Sequence, residues 1–297
     1  MKSPFPRVYI IVLNYKNAED TNECLTSLQK LNYPNYHVVV VDNASNDNSE
    51  SIINSWIMKS LDSRFTFVQA GRNNGYAGGN NVGIKYAQEK GDMDYIWILN
   101  NDTIVDEQAL DAIISKFKED KSIGMCGSKI VSYWDRVSVQ GYGAKYNKYL
   151  STVKNITKQE ELSKINYIIG ASLCLSREFL EQVGLFSEDY FLYYEELDLV
   201  ERSKGKFTFA CAVDSIVYHK EGATTGGNKS YRSELSDFYM IRNRIIFTRK
   251  YHPLCLLTVY LGIIYSMLHR IFRGQSSRAF MILKIMFNPN SEYVSAH

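Results

Sequence analysis

The sequence lacks the residue patterns that hold small secreted or zinc-bound proteins together. Its five cysteines lie far apart, are odd in number and include no CxxC pair. This spacing argues against a disulfide framework and against a structural zinc site. The first fifteen residues contain no long apolar segment followed by a small-residue cleavage site, so we identify no signal peptide. Both absences predict reduced thiols and a cytoplasmic protein.

Two common phosphate-binding motifs are also missing. The glycine-rich segment at residues 71–87 reads GRNNGYAGGNNVGIKYA, which is neither G-x-G-x-x-G nor a P-loop with its Gly-Lys-Ser/Thr. Hydride transfer with a dinucleotide and P-loop ATP hydrolysis are therefore disfavoured. Glycines that lead into a helix still let backbone N–H groups approach phosphate or sugar oxygens. Taken alone, the segment is more simply a flexible loop.

The net charge is small, but the charged residues are unevenly distributed along the chain. The formal net charge is +2 over 297 residues, and a hydrophobic content of 45% suits one large domain or a domain with an appendage. From residue 238 to the end, eight Lys and Arg residues accompany a single acid, Glu292, so the remainder is net acidic. This asymmetry predicts an anionic surface as the partner of the tail. We expect no nucleic-acid partner.

The first half of the chain alternates strand-like and helix-like segments. The apolar, β-branched runs are residues 8–15, 37–43, 65–69 and 95–99. Runs separated by helices of this length predict an α/β fold, Rossmann-like, with a mostly parallel sheet flanked by helices. The second half is less regular. Residues 133–166 predict a loop or hairpin, and another strand-like run follows at 167–177.

Polar side chains end three of the predicted strands. They are Asn14, Asp42 and the group Asn100, Asn101 and Asp102. Any one of them alone is most simply a turn or cap residue. In parallel sheets, however, ligands bind outside the carboxyl ends of the strands, where all three clusters would meet. Their coincidence favours a ligand at that edge.

Acidic residues concentrate where a helix is predicted from about Tyr194 to Lys204. Glu195, Glu196 and Asp198 fall within one turn. Helical spacing places Glu195, Asp198 and Arg202 on one face and directs Glu196 elsewhere. Acids at a helix N-terminus are common without any catalytic role. The aromatic run YFLYY just before them would nevertheless desolvate a carboxylate and raise its pKa toward that of a working base.

His219 ends a further apolar strand. A single histidine is more often structural than a ligand. Close to Asp102, it would complete an N/O site for a divalent ion such as Mn²⁺ or Mg²⁺.

The ordered series of motifs resembles the bacterial family 2 glycosyltransferases with a GT-A fold, and more narrowly their rhamnosyltransferase-like branch of surface-polysaccharide synthesis. The resemblance covers about residues 7–245. It rests on these segments: VLNYKN, VVVDNASNDNS, GRNNGYAGGNNVG, WILNNDT, IIGASLCLSREFLEQVGLFSEDYFLYYEELDL and VYHKEGAT. It implies a nucleotide-diphosphate sugar as donor, a divalent metal ion and an inverting displacement at the anomeric carbon.

By position, the resemblance assigns the donor contacts. Asn14 ends the first strand at the donor edge, and Asp42 would bond the pyrimidine. Asn74 and Gly75 would line the nucleoside, and Asn101 would lie near the ribose or sugar.

The resemblance also implies the metal ligands and the base. Asp102 and His219 would contact the metal. Glu196 occupies the second place of the family's Glu-Asp pair and would be the general base, with Glu195 as its rival because this chain has Glu-Glu there. Asp198 is the third candidate and would more simply orient the segment through Arg202.

We divide the chain into a GT-A catalytic domain, 1–237, and a basic, apolar helical extension, 238–297. The catalytic domain comprises a nucleotide-sugar half, about 1–130, and an acceptor half, about 131–237.

The extension contains an apolar run, 253–269, which is shorter than the ~20 residues that span a bilayer. The flanking cations suit helices lying in the interface of an anionic membrane; these are Arg249, Lys250, Arg270 and Arg273. The alternative is a pair of helices that pack on the catalytic body. Arg242 and Arg244 are candidates to face a diphosphate, from the donor or from a lipid-linked acceptor.

These features predict a glycosyltransferase acting on a lipid-linked or oligosaccharide acceptor at the inner face of the cell membrane. Two alternatives remain. A nucleotidylyltransferase would need a basic G-x-G-x-R-like loop after the first strand, where this chain reads LNYKNAED. A catalytically silent sugar-nucleotide-binding module is the other.

Overall fold

The computed structural model describes residues 4–220, 233–291 and 293. The first half alternates strands and helices: β1 (Val8–Asn14), α1 (Ala18–Leu28), β2 (Tyr36–Asp42), α2 (Ser49–Ser60), β3 (Phe65–Gln69), α3 (Gly75–Lys90) and β4 (Tyr95–Asn100).

The second half adds strands of both directions and short helices. Its elements are β5 (Thr103–Val105), α4 (Ala109–Glu119), β6 (Ile123–Ser132), β7 (Val139–Gly141), β8 (Ala144–Asn147), β9 (Thr152–Asn155), β10 (Ser172–Ser176), α5 (Arg177–Val183), α6 (Glu195–Ser203) and β11 (Thr208–His219). Three helices form the C-terminal part: α7 (Glu234–Tyr251), α8 (Leu256–Phe272) and α9 (Ser276–Phe287).

Within the described residues, nine strands form one sheet in the order β3-β2-β1-β4-β10-β6-β11-β5, with β7 paired to β6. The strands β3, β2, β1 and β4 are parallel, and β10 runs antiparallel between β4 and β6. In this register Asn14 pairs with Asp42, and Leu13 pairs with Asn100. The carboxyl ends of β1, β2 and β4 are therefore level, as the sequence predicted.

The sheet is buried on both faces, which explains why its strands are continuous apolar runs rather than alternating ones. Successive side chains point to opposite faces. Ile10 and Val12 pack with α1 and α4, whereas Ile11 packs with α3 on the other side. Each fully buried Val or Ile contributes about 1.5–3 kcal/mol relative to exposure. The predicted α/β fold, with flanking helices and a helical C-terminal part, is confirmed.

The C-terminal helices pack on the body along one side only. Helix α7 begins at Glu234, before the expected boundary at 238, and its Phe247 joins Tyr190, Tyr194 and Leu197 in an aromatic cluster. A second cluster holds the three helices together, formed mainly by Ile241, Ile245, Val259, Ile263, Ile282 and Ile285. The extension is therefore partly a packing element.

Candidate active site

The strand ends that the sequence singled out form one buried network. Asn14 donates to Asp42 Oδ1 at 2.6 Å and accepts from the Thr21 hydroxyl at 2.8 Å. Asn101 donates to the same Thr21 hydroxyl at 2.9 Å. These four side chains are all buried because the parallel register brings β1, β2 and β4 to one level.

Asp42 is fixed by donors on three sides. Besides Asn14, it accepts from the Ser45 backbone N–H at 3.0 Å, from the Ser45 hydroxyl and from Gln69 Nε2 at 3.1 Å. A carboxylate with this many donors keeps a single orientation at the edge. Its contact with a pyrimidine stays a prediction.

Asp102 and His219 come together although 116 positions separate them in the numbering, with His219 Nε2 3.4 Å from Asp102 Oδ1. Gln140 sets the histidine tautomer: its amide nitrogen donates to the His219 carbonyl, so its oxygen accepts from Nδ1 at 3.0 Å. Nε2 then presents a lone pair to Asp102 Oδ1, which is buried and has no hydrogen-bond partner.

His219 Nε2 and Asp102 Oδ1 are thus two hydrogen-bond acceptors that face each other with no proton between them, an arrangement suited to binding a cation. An imidazole nitrogen and a carboxylate oxygen are ligands that Mn²⁺ accepts, and here they come from His219 and Asp102. Gln140 would orient the histidine without contacting the metal itself. Among residues 4–220, 233–291 and 293, no group of three His, Cys, Asp or Glu side chains gathers around a common point. Metal binding by Asp102 and His219 stays a prediction, and these two side chains alone would fill only part of a coordination sphere. No sequence motif singled out Gln140, which lies on the short strand β7.

The glycine-rich segment is tied to the loop before α6. Gly75, at φ +66°, lies so close to Phe191 that a β-carbon would stand 2.1 Å from the Phe191 carbonyl oxygen. The Tyr76 N–H donates to that oxygen at 2.7 Å. Asn43 accepts from the Asn74 N–H and donates to the Gly75 carbonyl, both at 3.0 Å. Asn74 and Gly75 are thus held at the donor edge, and their nucleoside contacts stay predictions.

A strained turn presents the two glutamates that begin α6. Tyr193 and Tyr194 have positive φ angles of 69° and 79°, a conformation that is costly for aromatic residues and is often found at functional sites. Asn243 on α7 is fully buried and donates to the carbonyls of Leu192 and Tyr193 at 2.8 and 2.9 Å. The turn therefore depends on a helix far along the chain, which the sequence did not reveal.

The two glutamates are buried side by side. Loss of hydration raises the pKa of Glu196 to about 7, although its backbone hydrogen bond and those from Tyr167 and Glu195 oppose the rise. Burial first, and then the neighbouring Glu196 carboxylate, raise the pKa of Glu195 well above its usual range. Glu195 Oε2 is buried without a hydrogen-bond partner. One carboxyl of the pair can take up a proton near neutral pH.

Gly170 forms one wall of this carboxyl site. A β-carbon there would stand 1.9 Å from Glu196 Oε1, so only glycine leaves room for the carboxylate. Tyr76 donates to the Gly170 carbonyl at 2.8 Å. Loss of hydration raises the pKa of Tyr76 well above its usual range, and the carboxylates of Glu196, Glu195 and Asp102 add to the rise. The next residue, Ala171, accepts from the Asn100 N–H at 3.1 Å. The carboxyl pair and the Asp102 site therefore flank one short stretch of backbone.

Asp198 has a structural role. It is fully buried and accepts from Arg202 Nε at 2.6 Å, Lys250 Nζ at 2.8 Å and the Tyr251 hydroxyl at 2.6 Å. Burial alone would raise its pKa, but the hydrogen bonds from Lys250, Tyr251 and Arg202 outweigh it and lower the pKa. Asp198 joins α6 to α7, as the expected contact with Arg202 suggested, and both of its oxygens are occupied.

Of the two arginines proposed to face a diphosphate, Arg244 is engaged elsewhere, and the role of Arg242 stays a prediction. Arg244 is buried, and its Nε donates to the Leu150 carbonyl at 2.7 Å while its guanidinium packs against Gly262 of α8. Arg242 donates to the Asp189 carbonyl and to the Asn243 side chain. Arg244 therefore connects the β8–β9 hairpin to α8 rather than pointing at the sheet edge, because its helix turns that face toward the C-terminal helices.

Known proteins share this fold and this sequence pattern. The low-salt glycan biosynthesis hexosyltransferase Agl10 of Haloferax volcanii is 22% identical over 292 residues, covering 96% of this chain and 87% of that protein. The poly-beta-1,6-N-acetyl-D-glucosamine synthase of Staphylococcus epidermidis is 28% identical over 177 residues, 59% of this chain but 40% of the synthase.

Among solved structures, the mannosyltransferase PcManGT from Pyrobaculum calidifontis, in complex with GDP-Man and Mn²⁺, superposes with a TM-score of 0.62 at 16% identity. The match covers 98% of this chain and 92% of that one. This similarity confirms the expected GT-A fold. The model of the family described as "Glycosyl transferase family 2" matches residues 9–184, more than half of the chain. The chain belongs to glycosyl transferase family 2.

Proposed function

We propose that this glycosyltransferase moves a sugar from a nucleotide-diphosphate donor, with inversion, to a growing surface glycan. The proposal rests on one observation: a pair of side chains suited to a cation and a buried glutamate pair lie on either side of the Gly170–Ala171 backbone. On one side Asp102 and His219 present unshared acceptor atoms suited to a cation. On the other, the buried Glu196 has a pKa of about 7.

In this reaction the acceptor hydroxyl oxygen forms a bond to the anomeric carbon as the bond from that carbon to the diphosphate breaks. Glu196 takes the hydroxyl proton, and the nucleoside diphosphate leaves with the electron pair. A carboxylate with a pKa near 7 suits this role because it is ionised often enough and basic enough at neutral pH. Tyr167 and Gly170 hold its orientation.

A divalent ion held by Asp102 and His219 would stabilise the negative charge that develops on the leaving diphosphate. The residues of the chain provide the rest of the donor site: Asn14, Asp42 and Asn101 form its rigid floor, and the Asn74–Gly75 segment forms one wall. The complex of PcManGT with GDP-Man and Mn²⁺ supports a donor and a metal of this class.

The donor we favour is dTDP-rhamnose or a UDP-hexose, and the acceptor is a lipid-linked precursor of an O-antigen or capsule. The assignment of Agl10 to glycan biosynthesis and of the Staphylococcus enzyme to a poly-N-acetylglucosamine supports a polysaccharide product. The rhamnosyl preference rests on the motif resemblance alone.

We further propose that the enzyme is peripheral at the cytoplasmic membrane face. The segment Pro253–Phe272 is, by length and composition, the one helix in the described part of the chain that could cross a membrane, and 17% of its most apolar window is buried. One face packs on α7 through Val259 and Ile263. The opposite face is an exposed apolar stripe comprising Leu257, Leu261, Tyr265, Leu268 and Phe272. A helix packed on one side and apolar on the other suits the membrane interface.

The test is transfer and hydrolysis across nucleotide sugars, with Mn²⁺ or with excess EDTA, in wild type and Asp102→Ala. We expect activity with one donor class, lost in EDTA and abolished by Asp102→Ala with the fold intact. Asp106→Ala, which removes a nearby carboxylate that bonds the Gln108 N–H, is the control and should stay active. Full activity in EDTA would contradict the metal assignment, and nucleotidyl transfer or no turnover would contradict the transferase.

A further inference from the structure

Three cations of the C-terminal helices are engaged in ion pairs within the protein. Lys250 is ion-paired with the buried Asp198 at 2.8 Å. Arg270 and Arg278 both pair with Asp237, at 2.8 and 3.1 Å. The Lys250 pair attaches α7 to α6, whereas the Arg270 and Arg278 pairs attach α8 and α9 to α7. In the described part of the chain, lysines without an ion pair lie beside the apolar stripe on another element, the β8–β9 hairpin.

The β8–β9 hairpin carries such cations in an unfavourable arrangement. Lys145 and Lys154 are directly opposite one another across its two strands, and Lys148 follows β8 at the tip. Like charges facing each other across an antiparallel pair destabilise it. No ion pair to these three lysines occurs among residues 4–220, 233–291 and 293. An anion bound between them would remove that repulsion.

The lysines line a cavity of about 670 Å³ between the hairpin and the C-terminal ends of α6 and α7. Lys204 and His252 also line it. Glu201 is the acid in the lining, and it is already engaged by Lys204 at 2.5 Å and by His252 at 3.0 Å. The remaining positive charge, with Tyr, Asn and Thr side chains around it, is the chemistry of a phosphate site.

The cavity adjoins the apolar stripe through direct contacts. The Thr258 hydroxyl of α8 donates to the Tyr149 carbonyl at 2.5 Å, and Arg244 Nε donates to the Leu150 carbonyl at 2.7 Å. These bonds fix the hairpin tip against α7 and α8. Tyr149 and Leu150 themselves are 60% and 42% exposed, so the tip extends the apolar surface of the helix.

We propose that the β8–β9 hairpin is the second half of the membrane-docking surface, and that its lysine cavity binds the phosphate headgroups of anionic phospholipid. The inference rests on the proposed peripheral membrane location. The apolar stripe of α8 and the hairpin tip would enter the interface while Lys145, Lys148 and Lys154 contact phosphates beside it. A docking plane with two separate anchors fixes the orientation of the enzyme as well as its attachment.

This arrangement also relates the membrane to the chemistry. Helix α6 has the Glu195–Glu196 pair at its first turn and Glu201 at the cavity near its other end. At 1.5 Å per residue, the rise from Glu196 to Glu201 along the helix is about 8 Å. The base and the cavity therefore lie along the same short helix, so docking at the cavity would bring the carboxyl pair close to the membrane surface.

The experiment is vesicle flotation of the full chain at low salt, with phosphatidylcholine vesicles and with vesicles containing phosphatidylglycerol. The test variant is Lys145→Ala/Lys148→Ala/Lys154→Ala. The matched control is Lys59→Ala/Lys85→Ala/Lys118→Ala, which removes the same charge from α2, α3 and α4, far from the hairpin.

We expect the hairpin variant to lose about 10²-fold in partitioning to the anionic vesicles, as three lysines each worth ~1 kcal/mol at the surface imply. Its weaker binding to phosphatidylcholine, through the α8 stripe, should not change, and the control should behave as wild type. Equal loss in both triple variants would reduce the effect to net charge and overturn the proposal. Wild-type anionic binding by the hairpin variant would overturn it as well.

The outcome is separable from that of the transferase proposal. Donor-nucleotide binding and donor hydrolysis, measured without vesicles, should be the same in the hairpin variant and wild type, because none of the three lysines belongs to the carboxyl or Asp102 sites. Inorganic phosphate added at 10 mM (about the millimolar range of weak anion sites) should leave vesicle binding intact. Full displacement by it would assign the cavity to a soluble phosphate compound instead of lipid.

Discussion

The two sides of the candidate active site are built by opposite means. At the donor edge, Asn14, Asp42 and Asn101 satisfy one another through short, regular hydrogen bonds at the ends of parallel strands. On the carboxyl side, two adjacent tyrosines at positive φ present Glu195 and Glu196. The donor edge follows directly from the register of the parallel strands. The turn that presents the two glutamates is instead held in a backbone conformation that tyrosine disfavours.

This difference fits the two tasks. A nucleotide diphosphate is bound by many contacts to a preformed surface, so its site gains from groups that are already fixed. A general base must change protonation during turnover, so it needs a carboxylate whose charged form the protein does not fully stabilise. The distant Asn243 supplies the two hydrogen bonds that allow the strained turn to persist.

Replacing the base should give the largest effect and the sharpest separation of the two sides. In Glu196→Gln we expect kcat to fall about 10²–10⁴-fold, the usual cost of losing a general base, with donor-nucleotide affinity unchanged. Steady-state kinetics and nucleotide titration measure the two quantities. Glu195→Gln is the matched control and should be milder.

Two outcomes would break this comparison. Wild-type turnover in Glu196→Gln would transfer the role to Glu195. A loss of nucleotide affinity would place Glu196 on the donor side of the site.

A smaller effect should follow from crowding the carboxylate without removing it. In Gly170→Ala the new β-carbon would overlap Glu196 Oε1 and displace it. Displacement by about 1 Å commonly costs up to ~10²-fold in rate, so we expect kcat to fall by roughly 10–10²-fold while the donor KM holds.

Gly205→Ala is the control for this variant, since Gly205 has open space around it although its φ is +74°. It should keep wild-type kcat. If Gly170→Ala raised the donor KM instead, the Gly170 backbone would belong to the donor edge rather than to the carboxyl side.

The donor side was also the side that could be predicted from sequence. Parallel strands bring their carboxyl ends together by a general rule, so polar residues after β1, β2 and β4 could be grouped before any coordinates existed. Pairing Asp102 with His219 followed from the same rule and from the motif resemblance, and the structure places them 3.4 Å apart.

Several details, most of them on the carboxyl side, could not be predicted because they depend on contacts that the periodicity of the sequence does not encode. Gly170 matters only through its approach to Glu196, and Gln140 only through the tautomer it imposes on His219. Asn243 lies on a helix that the sequence assigned to a separate extension. The same limit applies to Arg244, whose positive charge suggested a diphosphate although its helix buries it against α8.

The smallest effect concerns stability and compares two carboxylates of the same helix. The pKa of Glu196 is about 7 in the folded protein against an ordinary 4.5, so the unfolded chain loses this proton first. As the pH rises from 4.5 to 7 the folded state therefore loses stability relative to the unfolded state, and the full loss persists above 7. Asp198 behaves oppositely. Its pKa is lowered from the ordinary 3.8, so its ionised form stabilises the folded state at pH values above 3.8.

We expect Glu196→Gln to melt a few degrees higher than wild type at pH 8, with the difference shrinking at pH 5, since ~1 kcal/mol corresponds to about 2–4 °C in a chain of this size. Asp198→Asn should melt lower than wild type at both values. Differential scanning calorimetry measures the melting temperatures of both variants. If the melting temperature of Glu196→Gln rose further above that of wild type toward pH 5, Glu196 would be stabilised in its charged form and its pKa would not be raised.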